Sequence, residues 1–282
     1  MLDKFLERRE NHHRFLTFSD RDILTCIIIV RLRAMTVHRN VANATLRIEY
    51  GASRGSGFHF LTPDIVVTNQ HVLPNLQTGQ GGAVGVTESG QRLNLTLLES
   101  SPATDQDFAV LKVQGAVPAG RHALLPKVVS PFERGTPVLF GGFPHGIPHL
   151  LVQAAIVSGL VSDRVFYLDG SVNGGNSGGP IVDPSDGCVV GVVTQRRFLG
   201  AQDLGQLRAA AEQLRNHCQA IAGRGSVQIM GIDFGSFSQM QAEAMLLIRE
   251  VLEANANTGI GIGFAIDFAL AACKSHGITN AA

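Results

Sequence analysis

The chain has 282 residues, with 23 Lys+Arg against 23 Asp+Glu, zero formal net charge and 45% hydrophobic residues. That length holds one large or two small domains, and the balanced charge gives no footprint for nucleic acid or a membrane surface as partner. Four cysteines, Cys26, Cys188, Cys218 and Cys273, lie far apart without a Cys-x-x-Cys pair, which argues against zinc and redox chemistry and fits buried thiols in a reducing, cytoplasmic compartment.

In chain order, residues 1–40 come first. Their apolar run at 23–30 is eight residues long, far short of the ~20 of a membrane-spanning helix. Acidic residues precede it, Arg31 and Arg33 follow, and a small-x-small cleavage site is missing, so a secretory leader is not expected. This stretch is expected to be an extension that packs on the body or binds a partner.

From residue 41 the pattern becomes β-like. Residues 44–50 alternate, 55–61 follow a Gly/Ser turn, and 65–69 form a β-branched run; 84–86, 92–98 and 108–113 continue the series. Six short strands at this spacing predict a small barrel over 41–114. Residues 115–136, with Pro118, Pro126, Pro131, Gly120 and Gly135, read as a linker. A second set follows at 137–141, 150–160, 164–168, 180–182, 189–194 and 259–266, predicting a second barrel within 137–282. The fold class is therefore an all-β core of two six-stranded antiparallel barrels.

Residues 200–258 break the β rhythm. Leu204, Leu207, Ala211, Leu214, Cys218 and Ile221 step by 3 and 4, with Asp203 at the start and Gly223 at the end, the pattern of a capped amphipathic helix. A second helix is expected from Ser238-x-x-Gln241, a capping-box pattern, with Met240, Ala244, Leu247, Ile248, Val251 and Leu252 on its apolar side. This α-rich segment reads as an insertion between two strands of the second barrel. Residues 268–276 are expected to form a closing surface helix.

The chemistry concentrates around Gly174-Gly175-Asn176-Ser177-Gly178-Gly179-Pro180. Four glycines and a proline around one serine dictate a specially shaped turn that presents a hydroxyl. Serine is a weak nucleophile and needs a base, a group to orient the base, and N–H donors for a developing oxyanion. His71 sits just past one strand, in Thr68-Asn69-Gln70-His71-Val72, and Asp107 opens another, in Asp107-Phe108-Ala109-Val110-Leu111-Lys112, with Asp105 as an alternative carboxylate.

On these blocks, together with Gly55-Ser56-Gly57-Phe58, Gly142-Phe143-Pro144 and Gly261-Ile262-Gly263-Phe264-Ala265-Ile266, the sequence resembles the trypsin-like (chymotrypsin-fold) serine peptidases, and more closely their HtrA/Deg branch. The blocks occur in the family's order over roughly 41–266, and that joint order is more specific than any one motif. The resemblance implies a triad of His71, Asp107 and Ser177, with the backbone N–H groups of Gly175 and Ser177 as the oxyanion hole. It implies a substrate pocket walled by Ser171, Val172, Val193, Thr194, Gln195, Gly263 and Ala265. No carboxylate stands at the pocket base, Ser171, so cleavage after small or medium uncharged residues is expected.

Asn176 stands where zymogen-activated relatives carry Asp, so activation by a freshly cut N-terminal amine is not expected. Only sixteen residues follow Ile266, so the C-terminal PDZ domain usual in that branch is not expected either. A Gly-x-Ser-x-Gly elbow of the α/β-hydrolase kind is excluded, because that fold needs a helix directly after the serine and the order Ser, Asp, His. No cofactor is implied. His145 and His149 are four apart, but Gly146 and Pro148 forbid the helix that would align them on a metal. The expected function is a serine endopeptidase acting on proteins or peptides, with a regulatory protein partner at 200–258 or at the N-terminal extension. The alternative is a peptidase-fold binding protein with a masked or inactive triad.

Overall fold

The computed structural model describes residues 34–102, 104–129, 132–145, 147–198, 201–223, 227–255 and 257–279. Most of the expected N-terminal extension, residues 1–33 with Cys26, lies outside the described residues. A helix over residues 34–44 (α1) leads directly into the first strand, and its Val37, Val41 and Ala44 are buried.

Six strands, β1 (Thr45–Tyr50), β2 (Ser53–Phe60), β3 (Thr62–Thr68), β4 (Gly81–Val86), β5 (Arg92–Ser101) and β6 (Phe108–Gln114), close in the order β1-β2-β3-β6-β5-β4. A second set, β7 (Pro137–Gly142), β8 (Leu151–Ser162), β9 (Val165–Asp169), β10 (Pro180–Val182), β11 (Val189–Phe198) and β14 (Asn257–Ala265), closes in the order β10-β11-β14-β9-β8-β7. All ladder pairs are antiparallel. The two expected six-stranded barrels are therefore both present.

Side-chain alternation explains the closure. Leu93, Leu95 and Leu97 of β5 point into the first barrel with Leu46, Ile48 and Leu111. In β6 the successive residues Phe108, Ala109, Val110 and Leu111 are all buried because they face two cores. Ala109 and Leu111 fill the barrel, while Phe108 and Val110 join a cluster between the barrels with Phe58, Phe60, Leu139, Val182 and Val192. Strand β3 divides likewise, Val66 inward and Ile65 and Val67 toward the inter-barrel cluster. These doubly buried strands abut the junction of the barrels, where the site lies. Helix α4 (Asp267–Ser275) caps that cluster with Ala269, Ala272 and Cys273.

The linker stitches the barrels together. Leu124 pairs with Phe60 and Pro126 with Val189, and the Lys127 ammonium binds Asp183 at 2.5 Å and Asp186 at 2.9 Å.

The insertion is a helical hairpin. Helix α2 (Ala201–Ala222) and helix α3 (Phe234–Asn255) pack chiefly on each other, joined through a two-stranded ribbon, β12 (Gln228–Ile229) and β13 (Ile232–Asp233). Two expected caps are displaced. Asp203 is the third residue of α2, and Ser238 is buried in the second turn of α3. Helix α3 starts earlier because Asp233 accepts the Ser236 N–H at 2.7 Å, satisfying a donor that the first turn leaves open.

Candidate active site

The first barrel brings His71 and Asp107 together. Antiparallel register puts Thr68, at the end of β3, opposite Ala109, at the start of β6. The single 3₁₀ turn Gln70–Val72 then carries His71 back over Asp107. His71 Nδ1–H donates to Asp107 Oδ2 at 2.7 Å, and the His71 backbone N–H donates to Oδ1 at 3.1 Å. The carboxylate fixes the ring proton on Nδ1 and leaves Nε2 with the lone pair. The Asp107 side chain is fully buried, whereas that of His71 is 34% exposed.

Asp107 is held from several sides. Its φ of +45° is left-handed, a region that Asp enters more readily than most residues, and the Asn69 side-chain amide donates to its carbonyl at 2.7 Å. Thr194 Oγ1 donates to Oδ2 at 2.5 Å across the barrel junction. Three donors thus converge on this buried carboxylate, as a buried polar group requires. Asp105, the alternative carboxylate, instead accepts from Ser101 Oγ at 3.0 Å.

The second barrel supplies the serine turn. Gly178 (φ +86°) and Gly179 permit backbone contacts that no side chain would: an added Cβ would lie 2.1 Å from the Ser56 carbonyl oxygen and 2.0 Å from that of Gly141. The turn is tied to β11 by Gly178 N–H to the Val193 carbonyl (2.7 Å) and Val193 N–H to the Gly179 carbonyl (2.9 Å). Ser56 ties it to the first barrel. The Ser56 N–H donates to the Ser177 carbonyl at 2.7 Å, and its hydroxyl donates to the Gly175 carbonyl at 2.7 Å while accepting the Phe143 N–H at 2.9 Å.

The Gly174–Gly175 peptide has a fixed orientation. The His145 N–H holds the Gly174 carbonyl at 2.7 Å; in a planar trans peptide the Gly175 N–H then points to the opposite side. Gly175 has φ +93°, and a Cβ there would sit 2.3 Å from the Phe143 carbonyl oxygen. Among the described residues neither the Gly175 nor the Ser177 N–H has a protein acceptor. Unclaimed backbone donors beside a serine are the kind of group that could receive a developing oxyanion. Asn176 is buried, with no hydrogen-bond partner for its side-chain amide.

His71 and Asp107 are thus brought into contact, but the serine hydroxyl is turned aside. Ser177 Oγ donates to the Thr194 carbonyl at 2.9 Å, and among the described residues no hydrogen bond joins it to His71. Thr194 therefore touches both, Asp107 through its hydroxyl and Ser177 through its carbonyl.

Of the other residues expected to line a pocket, Val172, Val193 and Ala265 are buried among the core residues of the second barrel. Ser171 is exposed, and the space beside Gly263 is filled by Ile181 and Phe166. Val172 also covers Gly261, where a Cβ would approach it to 2.5 Å. The backbone of Gln195 pairs with Ile262.

Sequence reasoning missed three contributors. Ser56 bridges the barrels, Asn69 holds the Asp107 backbone, and His145 orients the Gly174–Gly175 peptide with its ring packed against Gly174 and Gly175. Their local signals, the Gly55-Ser56-Gly57 turn and the Thr68-Asn69 step, mark special backbone but do not say what it touches. A cleft of about 460 Å³ also opens beside the turn, lined by Arg47, Arg54, Phe143, His145 and Ile147.

The chain matches the family model of the trypsin-like peptidase domain over residues 55–192. It is 32% identical to rat serine protease HTR4 over 161 residues, which is 54% of this chain and 31% of that protein. It is 37% identical over 152 residues to a probable periplasmic serine endoprotease DegP-like of Bartonella henselae, covering 50% of this chain and 27% of that protein. The chain thus spans about a third of the length of these curated relatives. The solved serine endoprotease from Yersinia pestis superposes with a TM-score of 0.49 at 24% identity, covering 58% of each chain. Among the described residues no helix is long and apolar enough to cross a membrane.

Proposed function

Because this chain carries a trypsin-like peptidase domain of the HtrA type, we propose that it is a serine endopeptidase whose triad is His71, Asp107 and Ser177. The observation that carries this reading is the buried Asp107 carboxylate bonded to His71 Nδ1, which leaves Nε2 to act as the base. Residues 41–114 and 137–282 are then the two halves of one catalytic unit, with 1–40 and 200–258 as additions to it.

In the first step the Ser177 hydroxyl leaves the Thr194 carbonyl and donates to His71 Nε2. Its oxygen attacks the scissile carbonyl as the proton passes to the imidazole. Asp107 stabilises the imidazolium, and the Gly175 and Ser177 N–H groups receive the oxyanion, each such donor being worth on the order of 10²–10³ in rate. His71 then protonates the leaving amine, an acyl group remains on Ser177, and water activated by the same imidazole releases it.

The pocket residues Ser171, Val172, Val193, Thr194, Gln195, Gly263 and Ala265 carry no carboxylate, which supports cleavage after small or medium uncharged residues. A panel of peptides cleaved mainly after Arg or Lys would overturn that part. Control by substrate or by a protein partner is part of the proposal, the hairpin and the N-terminal extension being the places for it. A reducing, cytoplasmic compartment is supported by the thiols of Cys188, Cys218 and Cys273, which are free among the described residues, and is tested by cell fractionation.

One observation favours a second reading, a peptidase fold with a masked triad: Ser177 Oγ rests on Thr194 and not on His71. A fluorophosphonate probe separates the two. Labelling of the wild-type chain but not of Ser177→Ala is expected for the peptidase. Folded protein that labels under no condition would support the masked form.

A further inference from the structure

The cleft beside the serine turn carries a charge pattern that the proposed triad does not use. Arg47, Glu49 and Arg54 line it together with apolar walls from Phe143, Pro144 and Ile147. Arg47 and Glu49 lie two apart on β1 and so share a face. Arg47 Nε donates to Glu49 Oε1 at 3.0 Å, and Arg92 Nη1 pairs with Oε2 at 3.1 Å. Both carboxylate oxygens are thereby engaged. Burial would raise the Glu49 pKa, but the two guanidinium groups outweigh it and hold it below the usual carboxylate range. Arg47 is also seated over the Phe143 ring, 5.9 Å from its centroid. Arg54 stands directly opposite Glu49 across the β1–β2 ladder, yet it is exposed, and among the described residues no acceptor holds its guanidinium. Three guanidinium groups thus meet one carboxylate, and the cluster keeps a positive surplus.

The inner end of the cleft decides which part of a substrate enters it. Gly55 lines that end, and a Cβ there would stand 2.6 Å from Val72, the residue after His71, and 2.9 Å from the Ser177 carbonyl oxygen. The His145 ring lines the same cleft and packs on Gly174 and Gly175. The cleft therefore starts between the turns that carry His71 and Ser177. It shares no residue with the pocket proposed for the residue before the cut. Since His71 gives its proton to the leaving amine, the residues after the scissile bond depart along the His71 flank. An extended chain rises about 3.3 Å per residue, which carries the second or third of those residues past Gly55 to Arg54.

We propose that this cleft is a subsite for an acidic side chain, Asp or Glu, at the second or third position after the cut, with Arg54 as its chief ligand and Arg47 as a second. A guanidinium fork matches a carboxylate in shape as well as charge, and Arg54 has no partner to give up. The apolar walls receive the methylene groups of the acidic side chain and thin out the water around the pair, which strengthens it. A basic side chain in the same place meets the positive surplus and is disfavoured. The proposal rests on the peptidase reading for the direction of the bound chain, but not for the charge that the cleft selects.

Binding and hydrolysis are measured apart, so that the two readings fail apart. The probes are fluorescein-labelled alanine peptides with one Val before the intended cut and Glu, Gln or Lys at the second or third residue after it. Fluorescence polarisation on the full-length Ser177→Ala chain reads binding; hydrolysis by the wild type, with the cut located by mass spectrometry, reads turnover. The Glu peptide is expected to bind about 5-fold tighter than the Gln peptide, the size of a well-formed exposed ion pair, and the Lys peptide more weakly than either. Salt at about 0.5 M should shrink the gap. Arg54→Gln is expected to erase it, and Arg54→Glu to reverse it in favour of Lys, which a merely structural role for Arg54 would not do. In turnover the same ranking should appear in KM, with kcat little changed. Equal binding of the Glu and Gln peptides would overturn the proposal. So would a gap that survives Arg54→Gln, an equal gain when Glu is moved to the second residue before the cut, or no binding of any peptide at about 1 mM. A Glu preference in binding without hydrolysis by the wild type would overturn the peptidase reading and uphold the charge selection of the cleft.

Discussion

The barrel junction and the helical hairpin are built by opposite rules. At the junction almost every polar group is claimed from both sides. Ser56 alone makes hydrogen bonds to Ser177, Gly175 and Phe143, and Thr194 holds Asp107 while receiving Ser177. In the hairpin two long helices hold chiefly each other, and Met240, Leu247, Ile248 and Val251 stand in solvent. A residue at the junction is fixed by neighbours far away in sequence, so its replacement is felt across two barrels. One on the outer face of α3 is fixed by its own helix and is felt only where another surface arrives.

The largest expected effect of a single change is chemical. Ser177→Ala should lower peptide hydrolysis by on the order of 10⁶-fold, as removal of a triad nucleophile does, with the melting temperature unaltered within a few degrees; equal turnover by both proteins would break the junction's claim to be a catalytic site. Gly178→Ala comes next. Its Cβ would meet the Ser56 carbonyl oxygen at 2.1 Å in a left-handed conformation, so a loss of roughly 3 kcal/mol or more is expected. Calorimetry should show the melting point lowered by roughly 10 °C.

Two histidines sharpen the comparison within the barrels. His71 is half-buried and paired, whereas His59 on β2 is fully buried. Burial, helped by the charge of Arg121, lowers the His59 pKa from 6.5 to about 4. Above pH 6.5 the ring is neutral in folded and unfolded chains, and this contribution to stability is fully present. As pH falls from 6.5 toward 4 the unfolded chain takes up a proton that the native state refuses, so stability falls, by about 3 kcal/mol at pH 4. Denaturant titrations across that window should show the wild type losing stability relative to His59→Leu as pH drops; parallel curves would refute the assignment.

A smaller effect is expected from Thr194→Val, which removes one donor to the buried Asp107 carboxylate. A lost hydrogen bond to a charged group is worth about 1–3 kcal/mol, so kcat/KM should fall by about 10- to 100-fold through kcat, with KM little changed. The smallest belongs to the hairpin. Met240→Gln should shift stability by no more than about 0.5 kcal/mol, the usual range for exposed positions; a large destabilisation would mean that this face of α3 is already covered within the molecule.

Much of the fold is legible before any coordinates. Alternation in residues 92–98 marks β5, and the 3- and 4-residue steps of 204–221 mark α2, because each pattern reflects one face of one element. Helix α3 is less transparent. Met240, Leu247, Ile248 and Val251 of its expected apolar side are exposed, since periodicity marks a face but not what covers it, and the capping box at Ser238 proved to lie inside a helix that Asp233 starts. At the site, His71, Asp107 and Ser177 each sit in a short motif whose backbone shape is local. Thr194 was read only as a pocket wall, since nothing in its neighbours tells that β11 passes between Asp107 and Ser177.

The sequence by itself determined the order of the elements, the turns that only glycine can make, and the three side chains with chemistry to offer. Those follow from local sterics and from the period with which apolar residues recur. The closure of each barrel, the bridging of the two by Ser56 and Thr194, the parking of Ser177 on a carbonyl and the exposure of one face of α3 were decided by the tertiary structure. The reason is physical: such contacts join residues 87 to 121 positions apart, and their geometry exists only once strands distant in the chain have been brought to lie side by side.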